Sequence, residues 1–430
     1  MDFFKKMWTT RSLRKKILFT IFVILVFRIA AHIPVPGVDV GAIQHLFGGN
    51  GALSILAALT GGSLKNFSIV MMGLAPYINA SIIVQLMTVV IPKLENYSKE
   101  GESGQRKITS LTRWLTLPLA LAQSYGMIVL ISTQLPVGTT FLDPTNISSV
   151  LPAMITITAG TLFLMWLGEL ITEKGIGNGI SLLIFTGIIS AMPTVVGSIA
   201  IDAETGDTTK IGPFLFFIAI TAILLVVTVI IMDANRPVPI INASRTATGE
   251  KTSLPIRLLQ AGMIPIIFAI SLITFPSVLA NFLQNAQSSW VKEAATWWTA
   301  HFNSGNPTPE YLILYFALIV LFSYFYVSIT FRPEQVAENI QKRGGFIPGV
   351  RPGHETAEYL ERVSNRMNLW GGSFLGFVAL VPIVFTMFTS LSSTDLIISG
   401  SGLIIVVGVV LELIRQINAQ LVTHDYEKLG

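Results

Sequence analysis

Ten stretches of this sequence are apolar enough to cross a bilayer as helices, each near the roughly 20 residues that a spanning helix needs. They run over 17–34, 67–91, 114–135, 150–171, 180–200, 212–232, 258–283, 311–331, 370–390 and 396–414. Only 12% of the residues are charged and 52% are hydrophobic, against about 25% charged in an ordinary soluble domain. Peptide groups inside hydrocarbon must be satisfied within the chain, so the expected class is an all-α membrane protein with ten transmembrane helices.

Lysine and arginine placement orients those spans. With an even number of crossings both termini share one side. That side holds 24 of the 28 lysines and arginines, the other holds Lys65, Lys210 and Lys292, and Arg28 lies within the first span. Positive loops stay cytoplasmic, so both termini are expected in the cytoplasm. The first apolar stretch follows Lys15-Lys16 and lacks a small-residue cleavage site, so it reads as a retained helix. The net charge of +4 then belongs to loops beside anionic headgroups, and no DNA partner is expected. The absence of cysteine excludes disulfides, thiolate catalysis and cysteine-held metals. The five histidines are scattered, without the spacing of a metal site. No Ser/His/Asp set, HExxH motif or pair of intramembrane aspartates is present, so no enzyme chemistry, cofactor or metal is expected.

The spans divide five and five near Asp202–Asp207, into an N-terminal half, 1–200, and a C-terminal half, 201–430. An odd number per half gives the halves opposite orientations, an inverted repeat. The second span of each half carries the same interruption, Gly73-Leu74-Ala75-Pro76 and Gly262-Met263-Ile264-Pro265. Proline removes a helix hydrogen bond and glycine loosens the turn, so both spans should kink or break. Two ordinary proline kinks would give the same spacing. Ahead of the second span, Ala52, Leu53, Ser54, Ile55, Leu56, Ala57, Ala58 and Leu59 form an apolar run too short to cross. It is either an interfacial helix or a re-entrant segment inside a cavity. Asn79, Ser81 and Gln85 on the second span and Gln123 on the third are polar at lipid depth. They either join helices or line a seam.

Loops 233–257 and 332–369 are too polar to insert. Within the second, Gly344 to Gly353 is dense in glycine and proline and reads as a rigid non-helical turn. It displays Arg351, which suits a carboxylate or phosphate partner or pairs with a neighbouring acid. The glycine-rich run Glu173 to Ser181 follows a spanning helix and lacks nucleotide-binding spacing. It reads as the turn between spans four and five.

Several of these motifs together resemble the SecY family, in its bacterial form, over essentially the whole chain. They are Phe27-Arg28-Ile29 with Ile33-Pro34-Val35-Pro36-Gly37, Pro76 to Ile83, Lys99 to Gly104, Phe163 to Glu169 continuing into Gly175 to Ser181, and Pro348 to Gly353. The resemblance implies a clamshell of two pseudo-symmetric inverted halves around an hourglass pore. It implies the central channel subunit of the Sec translocase, which passes unfolded polypeptides across the plasma membrane and releases transmembrane helices sideways. Leu74, Ile78, Ile180, Ile184, Ile267 and Ile405 match the pore ring, and 52–66 matches the plug. The lateral gate lies between spans two and three on one side and seven and eight on the other, with Gln85, Gln123, Leu259 and Gln260. Leu259 stands where the family carries a polar residue. Implied partners are the SecE and SecG subunits, the ATPase SecA, the ribosome, signal sequences, nascent chains and membrane lipid. The two cytoplasmic loops dock the large partners through Arg351, Arg245 and Lys251, although loop 233–257 is shorter and less basic than is usual. A coupled solute transporter with the same repeat logic would need ionisable groups near mid-bilayer, whereas Arg28, Glu169 and Glu412 all lie near span ends. A scaffold without a continuous pore is the remaining alternative.

Overall fold

The computed structural model describes residues 7–36, 38, 62–64, 66–134, 142, 146–204, 211–242, 252–283, 288–302, 307–389 and 399–427. The long helices are α1 (Arg11–Ala30), α2 (Ala75–Val90), α4 (Glu102–Gln134), α5 (Ile147–Lys174), α6 (Gly179–Glu204) and α7 (Ile211–Asp233). They continue with α8 (Ile264–Leu283), α10 (Pro309–Thr330), α12 (His354–Phe388) and α13 (Gly400–Glu427). Shorter helices are α3 (Pro92–Lys99), α9 (Ser289–His301) and α11 (Pro333–Lys342). Among the described residues, α4, α5, α7, α10, α12 and α13 are long and apolar enough to cross a membrane. The pair α2 and α3, bent by 102° where Pro92 opens α3, makes a further candidate. The chain is an all-helical, multi-pass membrane protein in its apolar part. On α7, Leu215, Phe216, Ile223 and Ile230 are each more than 60% exposed, which in water would be an untenable patch and in lipid is the favoured surface.

The departure from an all-α chain lies in the polar loops. Strands β1 (Asn235–Asn242), β2 (Thr252–Arg257) and β3 (Gly345–Phe346) form a sheet in the order β2-β1-β3. Both pairings are antiparallel, with Asn235 opposite Arg257 and Ile241 opposite Phe346. Val238 and Ile240, two apart on β1, face inward as strand periodicity requires. Val238, with Ile256 and Ile347, packs on Leu360, Val363 and Met367 of α12. The stretch 332–369 is therefore not loop throughout. It holds α11, β3 and the first turns of α12, and only the glycine-proline turn at its centre is irregular.

The two Gly-x-x-Pro sequences do not kink helices; they start them. Gly73 has φ 57° and Gly262 has φ 59°, left-handed values that cost a side-chain-bearing residue about 1–2 kcal/mol. In each case helix begins two residues later, at Ala75 and Ile264, with the proline second in the helix. There its missing N–H costs nothing. The residues after the two glycines, Leu74 and Met263, are buried in one central cluster with Val23, Phe27, Leu167, Ile405 and Val409.

The glycine-rich turn between α5 and α6 is held from both ends of the chain. Asn178 Oδ1 accepts from the N–H groups of Ile180 and Ser181 and so caps α6. Thr20 on α1 accepts from Ile176 N–H at 3.2 Å, and Gln416 on α13 accepts from Gly177 N–H at 2.7 Å.

The two kinds of glycine predict different costs. A Cβ on Gly262 meets nothing within 4 Å, so Gly262→Ala should cost only the backbone strain, about 1 kcal/mol. A Cβ on Gly179 would collide with the Gly168 carbonyl oxygen, which is fixed in α5. Gly179→Ala should therefore cost about 3 kcal/mol or prevent folding. Thermal unfolding in detergent, comparing the two variants, checks the order; equal losses would contradict it.

Candidate functional site

A cavity of about 700 Å³ opens among α2, α3, α4, α6, α8, α10 and α11. Its lining changes character along its depth. At the rim stand Gln105, Gln335 and Asn339, all exposed. Tyr77, Ser81, Gln85, Thr109 and Thr112 supply further polar groups to the wall. Ile78, Ile180, Ile184 and Ile267 are half-buried on the wall and pack against the central cluster.

All six aliphatic residues singled out from the sequence meet in that cluster. Leu74 and Ile405 are buried behind the wall, at 7% and 2% exposure, while the four isoleucines reach the cavity. They come from α6 and the start of α2 in the first half of the chain, and from α8 and α13 in the second. No single element could supply this convergence, because one helix face turns away within a few residues.

The helices α2 and α4 pack directly on α8, forming a seam beside the cavity. Gln85 lies on this wall. Its Nε2 donates to Ser81 Oγ at 3.3 Å, and its buried Oε1 has no protein partner. Gln123 on α4 is 9% exposed, and its Oε1 is likewise without a partner. A buried unpaired amide oxygen costs about 1–3 kcal/mol. Leu259 and Gln260 go elsewhere. Leu259 is buried and lies close against Gly371 of α12, and Gln260 Oε1 accepts from Ser364 Oγ of the same helix at 2.8 Å. Neither lines the cavity.

One contact across the mouth has no counterpart in the sequence reading. Arg332, between α10 and α11, donates from Nη2 to the Ser98 carbonyl oxygen at 2.6 Å and to Ser98 Oγ at 2.9 Å. The partners are 234 positions apart, so no local pattern could pair them. Arg332 had registered only as one more positive charge after a span.

Arg351 projects from the glycine-proline turn with its side chain 87% exposed. Its nearest acid, Glu355, is 3.8 Å away, a weak surface pair. Its backbone is fixed: Thr356 Oγ1 donates to the Arg351 carbonyl at 2.8 Å, and Gly349 and Gly353 hold φ values of 80° and 101°. The run Ala52 to Leu59, Arg245 and Lys251 lie outside the described residues.

The fold and site define a class: a polytopic helical membrane protein with an aliphatic cluster, drawn from several helices, against a cavity that carries polar groups on its wall. The SecY profile matches residues 68–414. The chain is 39% identical over 441 residues to the protein translocase subunit SecY of Streptomyces scabiei, covering 99% of this chain and 98% of that one. It is 42% identical over 436 residues to the protein translocase subunit SecY of Corynebacterium glutamicum, covering 97% of each. Among solved structures it is similar to one described as a protein conducting channel, with a TM-score of 0.66, 17% identity and coverage of 94% and 92%. It is also similar to Sec61 in the canine ribosome-channel complex, with a TM-score of 0.63, 16% identity and the same coverage. The chain belongs to the SecY family.

The Arg332 contact makes a direct prediction. Hydrogen bonds from a charged group contribute about 1.5–3 kcal/mol, so Arg332→Ala should raise the population with a parted mouth by about tenfold or more. Spin labels at Lys93 and Glu338 in the cysteine-free background read the separation. A longer or broader distance distribution is expected; an unchanged one would show that the contact does not hold the mouth.

Proposed function

We propose that this chain is the central channel subunit of a protein translocase, passing unfolded polypeptide through the apolar closure and releasing apolar helices through the seam. The observation that supports this furthest is the convergence of Leu74, Ile78, Ile180, Ile184, Ile267 and Ile405 in one cluster at the wall of a cavity that also carries polar groups. A narrow aliphatic ring holds little water and so resists ions. It also offers no hydrogen bonds or charges, so it can close around any polypeptide without selecting side chains. In this reading the ring is the pore constriction, and residues 1–200 and 201–430 are inverted halves, each of five spans, that part around it.

The seam of α2 and α4 against α8 is the lateral gate, with Gln85 and Gln123 at its edge and the Arg332–Ser98 contact across the mouth. Leu259 and Gln260, by their contacts with α12, belong to the body of the second half instead. An apolar segment entering the cavity leaves through the gate because lipid favours it by about 25 cal/mol per Å² of apolar surface. Residues 52–66 serve as the plug. The chain resides in the plasma membrane with both termini cytoplasmic, on the side of the three-stranded sheet. SecE and SecG complete the channel there, and SecA or the ribosome docks on the sheet and the turn bearing Arg351. Energy for movement comes from such a partner or from the membrane potential.

Single cysteines at Ile78, Ile184, Ile267 and Ile405 test the ring. Each should crosslink to one stalled secretory chain in membranes; no crosslink at any of them, with the protein folded and partners present, would return the transporter and scaffold readings. Deleting 52–66 should in turn produce a membrane leaky to ions, and an ion-tight one would remove the plug. Arg351→Glu should cut partner-driven transport by about tenfold, equivalent to about 1.4 kcal/mol of docking. With its side chain 87% exposed and weakly paired, the same substitution should leave the unfolding temperature within about a degree or two. Loss of both would mark Arg351 as structural.

A further inference from the structure

The helix α9, between α8 and α10, has three distinct faces. Its 13 residues are too few to cross a bilayer. Val291, Ala295 and Trp298 turn toward the protein; Ala295 is 5% exposed, and Trp298 Nε1 donates to Ser277 Oγ on α8 at 3.2 Å. Lys292, Glu293 and Thr296 form an exposed polar face. At about 100° per residue, Trp290, Ala294, Trp297 and His301 fall on a third stripe, beside the protein face and away from the polar centre. On it Trp290 is 74% and Trp297 is 55% exposed, and Trp297 stacks on His301 with ring centroids 4.8 Å apart. Two large exposed aromatics seven positions apart on one short helix need a covering partner.

The level at which α9 lies says what that partner is. Its last residue is tied to the first turn of a membrane-crossing helix: Thr308 Oγ1 donates to the His301 carbonyl at 2.5 Å, and Thr308 caps α10 by accepting from Tyr311 N–H. Its other tie, to Ser277, falls in the last part of α8. The 22 residues of α10 separate this level by about 33 Å, near the thickness of the hydrocarbon core, from Phe331, which packs in the cluster beneath the sheet. The helix therefore lies where headgroups meet acyl chains, the layer that indole rings prefer. A stripe of tryptophan beside a polar face that carries one lysine and one glutamate is the pattern of an in-plane interfacial helix.

We propose that α9 is a lipid-interface helix, with Trp290 and Trp297 seated in the headgroup–acyl boundary of the leaflet remote from the three-stranded sheet. It anchors the far ends of α8 and α10 at that depth through Trp298 and Thr308. The proposal rests on α10 spanning the membrane, and its readout does not involve transport, so its failure is distinct from failure of the channel reading.

The test uses the full chain in phosphatidylcholine vesicles doped with lipid brominated either near the glycerol or near the acyl terminus. The tryptophan emission that disappears in the Trp290→Phe/Trp297→Phe variant isolates these two residues from the seven in the chain. That difference should be quenched about twofold or more strongly by shallow bromines than by deep ones. Quenching by neither would place the stripe against water or a protein partner, and equal or stronger deep quenching would place it in the hydrocarbon; both overturn the proposal. The single variants Trp290→Phe and Trp297→Phe give the same reading if the double variant folds poorly.

Discussion

A peptide group left unpaired in hydrocarbon costs several kcal/mol, and the arrangement of this chain follows from where that penalty applies. Helix occupies the apolar stretches, and irregular backbone at their level occurs where protein surrounds it. The turns ending at Gly73 and Gly262 are the informative cases. Each closes with a short-range bond, Gly73 N–H to the Val70 carbonyl and Gly262 N–H to the Leu259 carbonyl. Each delivers the next residue, Leu74 or Met263, into the same central cluster. The breaks are flanked by buried residues, Met72 and Leu74 at the first and Ala261 and Met263 at the second, and they set the start of the two helices, α2 and α8, that face each other across the seam.

That seam is closed by contacts of unequal kind. The aliphatic cluster supplies non-directional burial that survives small shifts of one half against the other. The polar contacts are few, and some are incomplete: Gln85 and Gln123 each leave a buried carbonyl oxygen unmatched. Such groups make the closed arrangement less deep than an all-apolar seam would be, since water or a passing peptide can satisfy them when the helices part. The proposed gate needs that shallowness. The α10–α12 contact, by comparison, is joined by Ser323 Oγ donating to Asn368 Oδ1 at 2.7 Å in a buried setting, although Asn368 Nδ2 is unmatched there as well.

Much of this was legible in the residues, and the gaps have physical reasons. Hydropathy located every long helix because lipid imposes one rule on all of them, and charge placement depends on the same boundary. The six residues of the proposed ring could be named only through family motifs, since isoleucine or leucine on a helix looks the same whether it packs or lines a passage. The sheet was hidden by Pro237, Pro239 and Pro255, residues that argue against a strand even though Val238, Ile240 and Ile256 keep its alternation. The extension of α12 to His354 was missed because hydropathy registers where a helix enters lipid, at about residue 370, and is blind to where the helix begins. Arg332 and Ser98 share no sequence signal, because their pairing exists only once the halves have met.

The polar end of the molecule gives that last contact its significance. Arg332 precedes α11, and the turn bearing Arg351 begins just beyond the other end of that helix. The intervening 10 residues span about 15 Å. Val336 and Ile340 hold α11 against the same cluster that joins β1, β2 and Ile347 to α12. The turn beside Arg351, the sheet and α11 are therefore one packed unit through Val350, Ile347, Val336 and Ile340, and close-packed interiors transmit displacement instead of absorbing it. Arg332 and the turn bearing Arg351 flank α11 within that unit, and the two hydrogen bonds from Arg332 to Ser98 join it to α3 on the opposite side of the cavity mouth. Hydrogen bonds of this kind are lost over less than 1 Å of movement, whereas the aliphatic cluster below them yields gradually. Displacement of the unit would accordingly release the mouth before the aliphatic cluster, an order set by the range of the two interactions.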